Sequence, residues 1–395
     1  MKKIVLSALA ALTLGSVVAN ASSLTLYQDA DGQVFTKPAE GRTLIKTPTP
    51  LFSHTDKLKF SMLSYIGYTY DDYKSDTATV DYKNDTSNFE IRRAYFQVKA
   101  YLLDDPKSYY RITFDVSKDV TGDEKVRAKY AYLYLNNIFS HTGVEFGLAH
   151  RPWHDYEEHN AWYYRSISKV LIEDKKSGPD LSNSADFGLM FKTRTQYFDA
   201  DYGIFNGEGY HSVSNGNGMS FEWRTTAHLL GVDGKDKQTK LTYWDASFFG
   251  QYNQGHKTVT VGTEVENQDL IFGGLHTVYN IPSFLVAAQY VYSENTSNIA
   301  GNVSAQAGEG YSVNTEYRMG ADKEYRVLAR YDSWTPELEN TADERTDRSY
   351  IIGGAWEQNH NVEWVTNVIV TDNEAGSPKE IENGTQYMVT AKVKF

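Results

Sequence analysis

The segment from His154 to His159 carries the densest group of side chains that could bind a metal or transfer protons. It reads His-Asp-Tyr-Glu-Glu-His, so imidazole and carboxylate groups are clustered within six residues. The spacing of its two histidines does not align them on one helical face, and neither H-E-x-x-H nor H-x-x-E-H is present. We therefore predict no metal and no other cofactor here.

Motifs typical of catalysis are missing from the rest of the sequence. There is no G-x-S-x-G, no P-loop and no dinucleotide-binding fingerprint. The sequence has no cysteine, which excludes thiolate ligands and cysteine nucleophiles. We therefore predict that the protein is not an enzyme.

From Leu58 onward the chain alternates apolar and polar residues, which is typical of β-strands with two different faces. Strands that cross a membrane need only about 9 to 11 residues. The predicted strands, about sixteen in all, are 58–70, 88–102, 108–117, 125–135, 142–151, 186–194, 196–205, 221–230, 240–252, 268–279, 283–292, 310–319, 323–333, 349–358, 361–371 and 385–395.

Short connections between these strands alternate with long polar ones, and the longest is 152–185. The other long connections are 71–87, 206–220, 253–267, 293–309, 334–348 and 372–384. Tight turns at one rim and long loops at the other are typical of membrane barrels, in which an unpaired sheet edge would be too costly. We predict an all-β fold, a closed transmembrane antiparallel β-barrel of about 16 strands.

Side-chain alternation assigns charged residues to the inside, since an Arg or Lys on the lipid face would cost about 2 to 4 kcal/mol near the midplane. The predicted pore-lining residues are Arg93, Lys99, Arg111, Asp115, Glu145, Arg151, Lys192, Arg194, Arg224, Arg326, Arg330 and Asp332. The inner wall is slightly positive although the chain has a net charge of −12. This predicts a mild preference for anions. The alternative is that opposite charges pair across the wall and stiffen it.

The long third extracellular loop, 152–185, is predicted to fold inward and to set the narrowest point of the tube. Its predicted constriction residues are His154, Asp155, Glu157, Glu158, His159, Arg165 and Lys169. Carboxylates of the loop would face basic residues of the wall there. The alternative is a surface lid or a contact between subunits.

Residues 1–21 are predicted to be a signal peptide. Two lysines precede a short apolar run, which ends in an Ala-Asn-Ala cleavage site at 19–21. The polar stretch 22–56, which contains prolines, is predicted as a periplasmic extension, and 57–395 as the barrel domain.

The last segment, 386–395, alternates apolar and polar side chains and ends on Phe395. A terminal phenylalanine after such a strand predicts recognition by the barrel-insertion machinery. The sequence has 30 tyrosines and 7 tryptophans, which suit two membrane–water interfaces. We predict a protein of the Gram-negative cell outer membrane that contacts outer-membrane lipids. Its negative charge argues against a nucleic-acid partner.

Four short motifs follow one another along the chain: FEIRRAYF at 89–96, YRITFDVS at 110–117, FNGEG at 205–209 and LARYD at 328–332. In order and spacing they resemble the phosphate-selective porin family of the O and P type. The resemblance implies a trimeric, sixteen-stranded outer-membrane channel with an inward third loop. Phosphate specificity in that family rests on a ladder of arginines and a cluster of lysines. The mixed charges predicted here favour a general channel for small hydrophilic solutes and ions.

Two other classes of protein are the alternatives to a channel. An outer-membrane barrel enzyme would need a nucleophile and a base that converge at the rim. A soluble secreted β-sheet binding protein would stay in the aqueous phase without detergent, and the sorting of the connections by length argues against it.

Overall fold

The structure, a computed structural model, describes residues 27–29, 33–44, 57–77, 80–102, 105, 107–119, 121–211, 218–232, 238–261, 264–295, 306–337 and 344–395. The chain forms two compact units, 1–56 and 57–395. In the first unit, short strands pair antiparallel in the order β2-β1-β3: β1 (Tyr27–Gln28), β2 (Val34–Phe35) and β3 (Thr43–Leu44).

The predicted signal peptide, 1–21, lies outside the described residues. Within the described ranges, no helix combines the length and the apolar character needed to cross a bilayer.

The second unit is a closed barrel of sixteen strands, counted over the residues described above. Its strands are β4 (Leu58–Tyr73), β5 (Thr86–Tyr101), β6 (Tyr109–Lys118), β7 (Glu124–Phe139), β8 (Thr142–His150), β9 (Ala185–Arg194), β10 (Phe198–Phe205), β11 (Ser220–His228), β12 (Tyr243–Val261), β13 (Glu264–Ile281), β14 (Phe284–Asn295), β15 (Gly308–Met319), β16 (Tyr325–Pro336), β17 (Asp347–Glu357), β18 (Val362–Asn373) and β19 (Gly384–Lys394). Each pairs antiparallel with its neighbours along the chain, which confirms the predicted fold class.

The barrel closes between its first and last strands, β4 and β19. Lys394 pairs with Leu63, and the ladder continues along both strands. Beyond it, the backbone N–H of Phe395 donates to the carbonyl oxygen of Met62 at 3.0 Å. Every barrel strand therefore has two hydrogen-bonded neighbours, as a sheet in hydrocarbon requires.

The outer face of the barrel is apolar and exposed, whereas the inner face carries most of the charged side chains. Phe89 on β5 is 86% exposed. Further exposed residues of the outer face are Val126, Phe146, Phe187, Leu275, Val327, Ile352 and Val389. Such a belt buries its apolar area only in lipid, so the barrel is a transmembrane one.

Two β-bulges change which residues of β5 and β7 face inward. The ladder between β4 and β5 skips Arg92, and the ladder between β6 and β7 skips Lys129. Each extra residue lies beside an inward neighbour, Arg93 or Tyr130, so two consecutive side chains point inside. Regular alternation would turn both cations toward lipid, at about 2 to 4 kcal/mol each near the midplane.

One of the predicted long loops is wrong. The sequence predicts a long polar loop at 253–267, but most of these residues extend β12 and β13 into a long hairpin that pairs as far as Val261 with Glu264. The ladder shifts register between Asn253 and Lys257. Alternating Thr, Val and Glu residues favour a two-stranded ribbon in water as well as in a membrane.

The connection between β8 and β9 is the long third loop, 151–184. It begins with helix α1 (Pro152–Asn160), where proline at the first position lacks only a donor that would be unpaired anyway. A short 3-10 helix follows at Leu171–Glu173. The loop packs on inward side chains of β12–β18, which confirms that it folds into the barrel.

Candidate functional site

The third loop is fixed to one side of the lumen by an apolar cluster. We call the inner face of β12–β18 the packed wall. There, the rings of Trp153 and Phe249 stack with centroids 3.7 Å apart and planes 4° apart. The loop contributes Trp162, Tyr164, Ile167, Leu171, Ile172 and Leu181 to the cluster, and the wall contributes Leu270, Phe272, Val291, Leu328, Trp334 and Ile351. The part of the lumen between the loop and this wall is therefore filled like a protein core.

Hydrogen bonds fasten the same loop to the packed wall. The Tyr156 hydroxyl donates to Asp245 Oδ2 at 2.7 Å, next to the Trp153 stack. Asn314 Nδ2 donates to the carbonyl oxygen of Ala161 at 3.0 Å, just after α1. Because the backbone of the loop is held as well as its side chains, its position in the lumen is well defined.

Glu157, a predicted constriction residue, points from α1 into the packed wall. Its Oε1 accepts a hydrogen bond of 2.5 Å from Gln289 Nε2, and the side chain is buried. Burial raises the pKa of Glu157 to about 8. The carboxyl is therefore mainly neutral at pH 7 and part of the loop's attachment.

Two cavities remain beside the third loop. Both are lined by inner-face residues of β4–β7, which we call the open wall, and the outer cavity also reaches Asp332, Ile351 and Thr371 of β16–β18. The outer cavity, at the end with the long loops, has a volume of about 520 Å³. The inner cavity, at the end with the short turns, has a volume of about 650 Å³. Tyr65 and Arg165 line both cavities, so the two adjoin at this pair of residues.

Arg165 is held in place by two carboxylates of the third loop. Its Nη1 lies 2.5 Å from Glu158 Oε1, and its Nη2 donates to Glu173 Oε1 at 3.1 Å. Lys169 Nζ lies 2.9 Å from the same Glu173 oxygen. Although burial alone would raise it, Arg165 and Lys169 hold the pKa of Glu173 well below its ordinary value. The loop side of the junction is thus fixed by the charged side chains of Glu158, Arg165, Lys169 and Glu173.

The wall side of the junction is aromatic and basic. The Tyr65 ring is buried and meets Tyr95 edge-on, with centroids 6.1 Å apart. Arg92 reaches from its bulge to the loop, where Nη2 donates to the carbonyl oxygen of Ile167 at 3.3 Å. The loop therefore contacts the open wall at Arg92, whereas most of its buried apolar side chains pack against the packed wall.

Ten of the twelve predicted pore-lining residues lie in ion pairs. The pairs are Arg93–Asp115 (2.8 Å), Lys192–Glu145 (3.1 Å), Arg151–Asp186 (2.9 Å), Arg194–Asp201 (2.5 Å), Arg224–Asp201 (2.6 Å), Arg326–Glu363 and Arg330–Asp332 (2.8 Å). Charges paired at these distances lose much of their field in the lumen.

The remaining two, Lys99 and Arg111, lie over tyrosine rings. Lys99 Nζ is 4.3 Å from the centroid of Tyr109, and Arg111 Cζ is 4.6 Å from that of Tyr130. Lys129, the bulge residue, does the same with a third tyrosine. In the described part of the chain, no carboxylate oxygen lies within 4.0 Å of these three cations.

The other predicted constriction residues have different roles. Asp155 lies 3.4 Å from Lys192 and 3.7 Å from His150, which ties α1 to β8 and β9. His159, whose side chain is 70% exposed, lies 3.4 Å from Asp155. His154 is buried, and burial lowers its pKa to about 3, so it is neutral.

Histidines and carboxylates of this segment do not converge on one point. Within the described ranges, no group of three or more His, Cys, Asp or Glu side chains is arranged to hold a metal ion.

Sequence reasoning missed the residues that give the lumen its shape. Arg92 and Lys129 were not predicted because each bulge shifts the alternation by one residue. A cation directly next to another inward residue was the available signal, since lipid disfavours it. The inward apolar residues Phe249 and Leu328 were not predicted either, because a water-filled tube was expected.

Comparisons with known proteins agree with this architecture. No protein-family model and no curated protein matches the chain. An anion-selective porin from Comamonas acidovorans is 11% identical with a TM-score of 0.59, over 85% of this chain and 99% of that one. OmpF of Salmonella typhi, in complex with daunomycin, is 11% identical with a TM-score of 0.59, over 86% and 99%. The trimer form of OmpT, an outer membrane protein of Vibrio cholerae, is 14% identical with a TM-score of 0.56, over 86% and 99%.

At such low identities these likenesses show the fold alone. The chain has the closed sixteen-stranded barrel of outer-membrane porins, and its apolar belt and this fold confirm the predicted outer-membrane location. The finer resemblance to the phosphate-selective family stays a prediction.

Proposed function

We propose that the protein is a passive channel for small hydrophilic solutes and ions in the outer membrane, with a mild preference for anions and no catalytic step. The observation that carries this proposal is the pair of cavities that adjoin at Tyr65 and Arg165, along the open wall. Solutes would pass beside the third loop and not through the centre of the lumen.

The charges of the two cavities support the anion preference. The outer cavity is lined by the cations Arg92, Arg93, Arg165, Lys169, Lys175 and Lys176 and by the anions Asp71, Glu90, Asp174 and Asp332. The inner cavity is lined by the cations Arg111, Lys129, Arg165, Lys392 and Lys394 and by the anions Asp155 and Glu158. Basic residues that line a pore lower the barrier for anions.

Pairing of charges, the alternative reading, applies mainly to the rest of the lumen. Arg326 and Arg330 of the packed wall both pair with carboxylates, and neither faces the inner cavity. Lys99, Arg111 and Lys129 are open-wall cations that lie over tyrosine rings and, among the described residues, have no carboxylate oxygen within 4.0 Å. Arg93 of the open wall also pairs with Asp115, so this wall carries both paired and unpaired cations.

Planar-bilayer recording of the refolded protein tests the proposal. In a potassium chloride gradient, we expect open channels whose reversal potential shows chloride more permeant than potassium. A barrel that inserts without conducting would overturn the channel, and a preference for potassium would overturn the anion selectivity alone.

We also propose that the channel is a homotrimer, as the resemblance to phosphate-selective porins implies. The Vibrio cholerae OmpT structure with the same fold is described as a trimer form. Chemical cross-linking in detergent, read by mass, tests this proposal. A monomer at every cross-linker concentration would contradict it.

A further inference from the structure

Cations and tyrosines alternate along the inner faces of β5, β6 and β7. We call this set the basic–aromatic strip: Lys99, Arg111 and Lys129 with Tyr95, Tyr109, Tyr130 and Tyr132. Four of its members, namely Tyr95, Arg111, Lys129 and Tyr130, line the inner cavity.

Each cation of the strip is held by rings and not by carboxylates. Lys129 Nζ lies 4.8 Å from the centroid of Tyr95 and 5.3 Å from that of Tyr130. Arg111 Nη1 lies 3.3 Å from the Tyr132 hydroxyl and 3.1 Å from Nε2 of His150. These neighbours fix the positions of the cations without neutralising them.

Each of the acids that line the same cavity already pairs with another cation. Glu158 pairs with Arg165, and Asp155 pairs with Lys192. Arg111 and Lys129 therefore line the cavity with no carboxylate oxygen of the described chain within 4.0 Å, and Lys129 itself is 4% exposed.

The inner cavity next to the strip is lined by apolar and aromatic side chains as well as by cations. Leu63 and Tyr65 of β4 and Tyr163 of the third loop line the cavity opposite or beside it. Tyr163 is fixed there, because its hydroxyl lies 2.8 Å from that of Tyr243. A solute in this cavity would meet ring faces and aliphatic carbon as well as positive charge.

We propose that the inner cavity is a binding site for aromatic carboxylates, small organic anions with one flat ring. The carboxylate would pair with Lys129 and Arg111, as charge-assisted hydrogen bonds require. The ring would pack against Tyr130 and Tyr163, with the offset or edge-on geometry that aromatic pairs prefer. This inference deepens the proposed function and rests on it for its biological role, since a binding site midway along a channel selects which solutes pass.

Equilibrium binding tests the site independently of conduction. Isothermal titration calorimetry on the refolded protein in detergent would compare sodium benzoate, sodium acetate and inorganic phosphate. We expect benzoate to bind about tenfold more tightly than either of the others, because only benzoate uses the rings and the charge together. Equal binding of acetate and benzoate would overturn the aromatic part of the proposal, and tighter phosphate would overturn the site's ligand class.

Two variants separate the charge of the strip from its rings. Lys129→Met should weaken benzoate binding about tenfold, and Tyr130→Leu should bring benzoate to the level of acetate. Lys257→Met, on the exposed part of the β12–β13 hairpin, is the matched control and should change neither. Circular dichroism confirms that each variant folds. If both strip variants bind benzoate as the parent chain does, the proposal is wrong.

Bilayer recording then distinguishes the site from the channel. With benzoate on one side, we expect resolved interruptions of the chloride current that acetate does not cause. Benzoate binding without any chloride current would leave the site in place and overturn the proposed function. Chloride current with no benzoate binding would overturn the site and leave the channel in place.

Discussion

The packed wall and the open wall are built by the same strand alternation, yet they present opposite chemistry to the lumen. On the packed wall, inward positions hold Phe249, Leu270 and Leu328, which are buried under the third loop. On the open wall, inward positions hold Arg93, Arg111 and their aromatic neighbours, which line the cavities. The alternation fixes only which side chains face inside, and the third loop decides whether inside means a protein core or water.

One cation from each wall shows two different ways of holding a charge, although Arg93 of the open wall also pairs with a carboxylate. Arg330 of the packed wall lies 2.8 Å from Asp332 and donates to the backbone of the loop. Lys129 of the open wall lies over tyrosines. An ion pair has no net charge, which lowers the cost of burying it. A tyrosine ring attracts a cation but leaves its positive charge in place.

Removing one ring from the packed wall should have the largest effect. Phe249→Ala is expected to lower the free energy of unfolding by about 3 to 5 kcal/mol, because it empties the space against Trp153. Phe248, the next residue, faces lipid and is 48% exposed, so Phe248→Ala should cost less than about half as much. Denaturant unfolding in detergent micelles measures both. Equal losses would contradict the division into two walls.

The pH should act on the packed wall through Glu157. Its pKa is about 8 in the folded chain against an ordinary 4.5, so the folded state keeps a proton that the unfolded state releases. Stability should therefore fall as the pH rises from about 4.5 to about 8, by about 4 kcal/mol.

Glu157→Gln supplies the control for this pH dependence. The amide keeps the shape of the neutral carboxyl and cannot ionise, so its unfolding midpoint should change much less between pH 5 and pH 9. A variant that loses as much stability as the parent chain over that range would assign the effect to another group.

Deleting one cation from each wall compares their roles directly. Arg330→Met leaves Asp332 without its partner and should cost about 3 kcal/mol of stability. Lys129→Met removes only contacts with rings and should cost about 1 kcal/mol. Unfolding curves of the two variants, recorded at one pH, give the difference. A larger loss for Lys129→Met would reverse the assignment.

Arg165, at the junction of the two cavities, should influence the ion selectivity of the channel. Arg165→Met is expected to shift the preference for chloride over potassium by about fivefold, equivalent to about 1 kcal/mol. Arg165→Lys should retain most of the preference because it keeps the charge. Lys257→Met on the exposed hairpin serves as the neutral control. Reversal potentials of the three variants rank them, and an unchanged value for Arg165→Met would place the selective point elsewhere.

The sequence predicts the barrel well because strand alternation is a local property. Each of the sixteen predicted strands overlaps one strand of the structure, from Leu58–Tyr73 to Gly384–Lys394. The predicted long polar loop at 253–267 is wrong because polar residues can also form paired strands, so polarity alone does not indicate a loop. Composition distinguishes lipid from water, but it does not mark where a strand leaves the membrane.

The lumen could be predicted only in part, because it depends on contacts between distant residues. Lys192 and Glu145 are both recognisable as inward charges, but their pairing at 3.1 Å follows from the register of β8 and β9. Nothing in the order of residues shows that Trp153 meets Phe249. The loop lies against one wall because its side chains pack well there, and such packing between distant residues cannot be predicted from a single sequence.

The bulges at Arg92 and Lys129 make these two strands tolerant of a kind of mutation that would ruin their neighbours. Removing one codon within a regular strand turns every later side chain to the opposite face. Charged side chains then face lipid and apolar side chains face water. Removing the codon for Lys129 instead leaves the remaining residues of β7 in phase on both sides of the gap. A chain one residue shorter at this position would therefore keep an intact barrel, and the position is a natural place for the inner surface to gain or lose a charge.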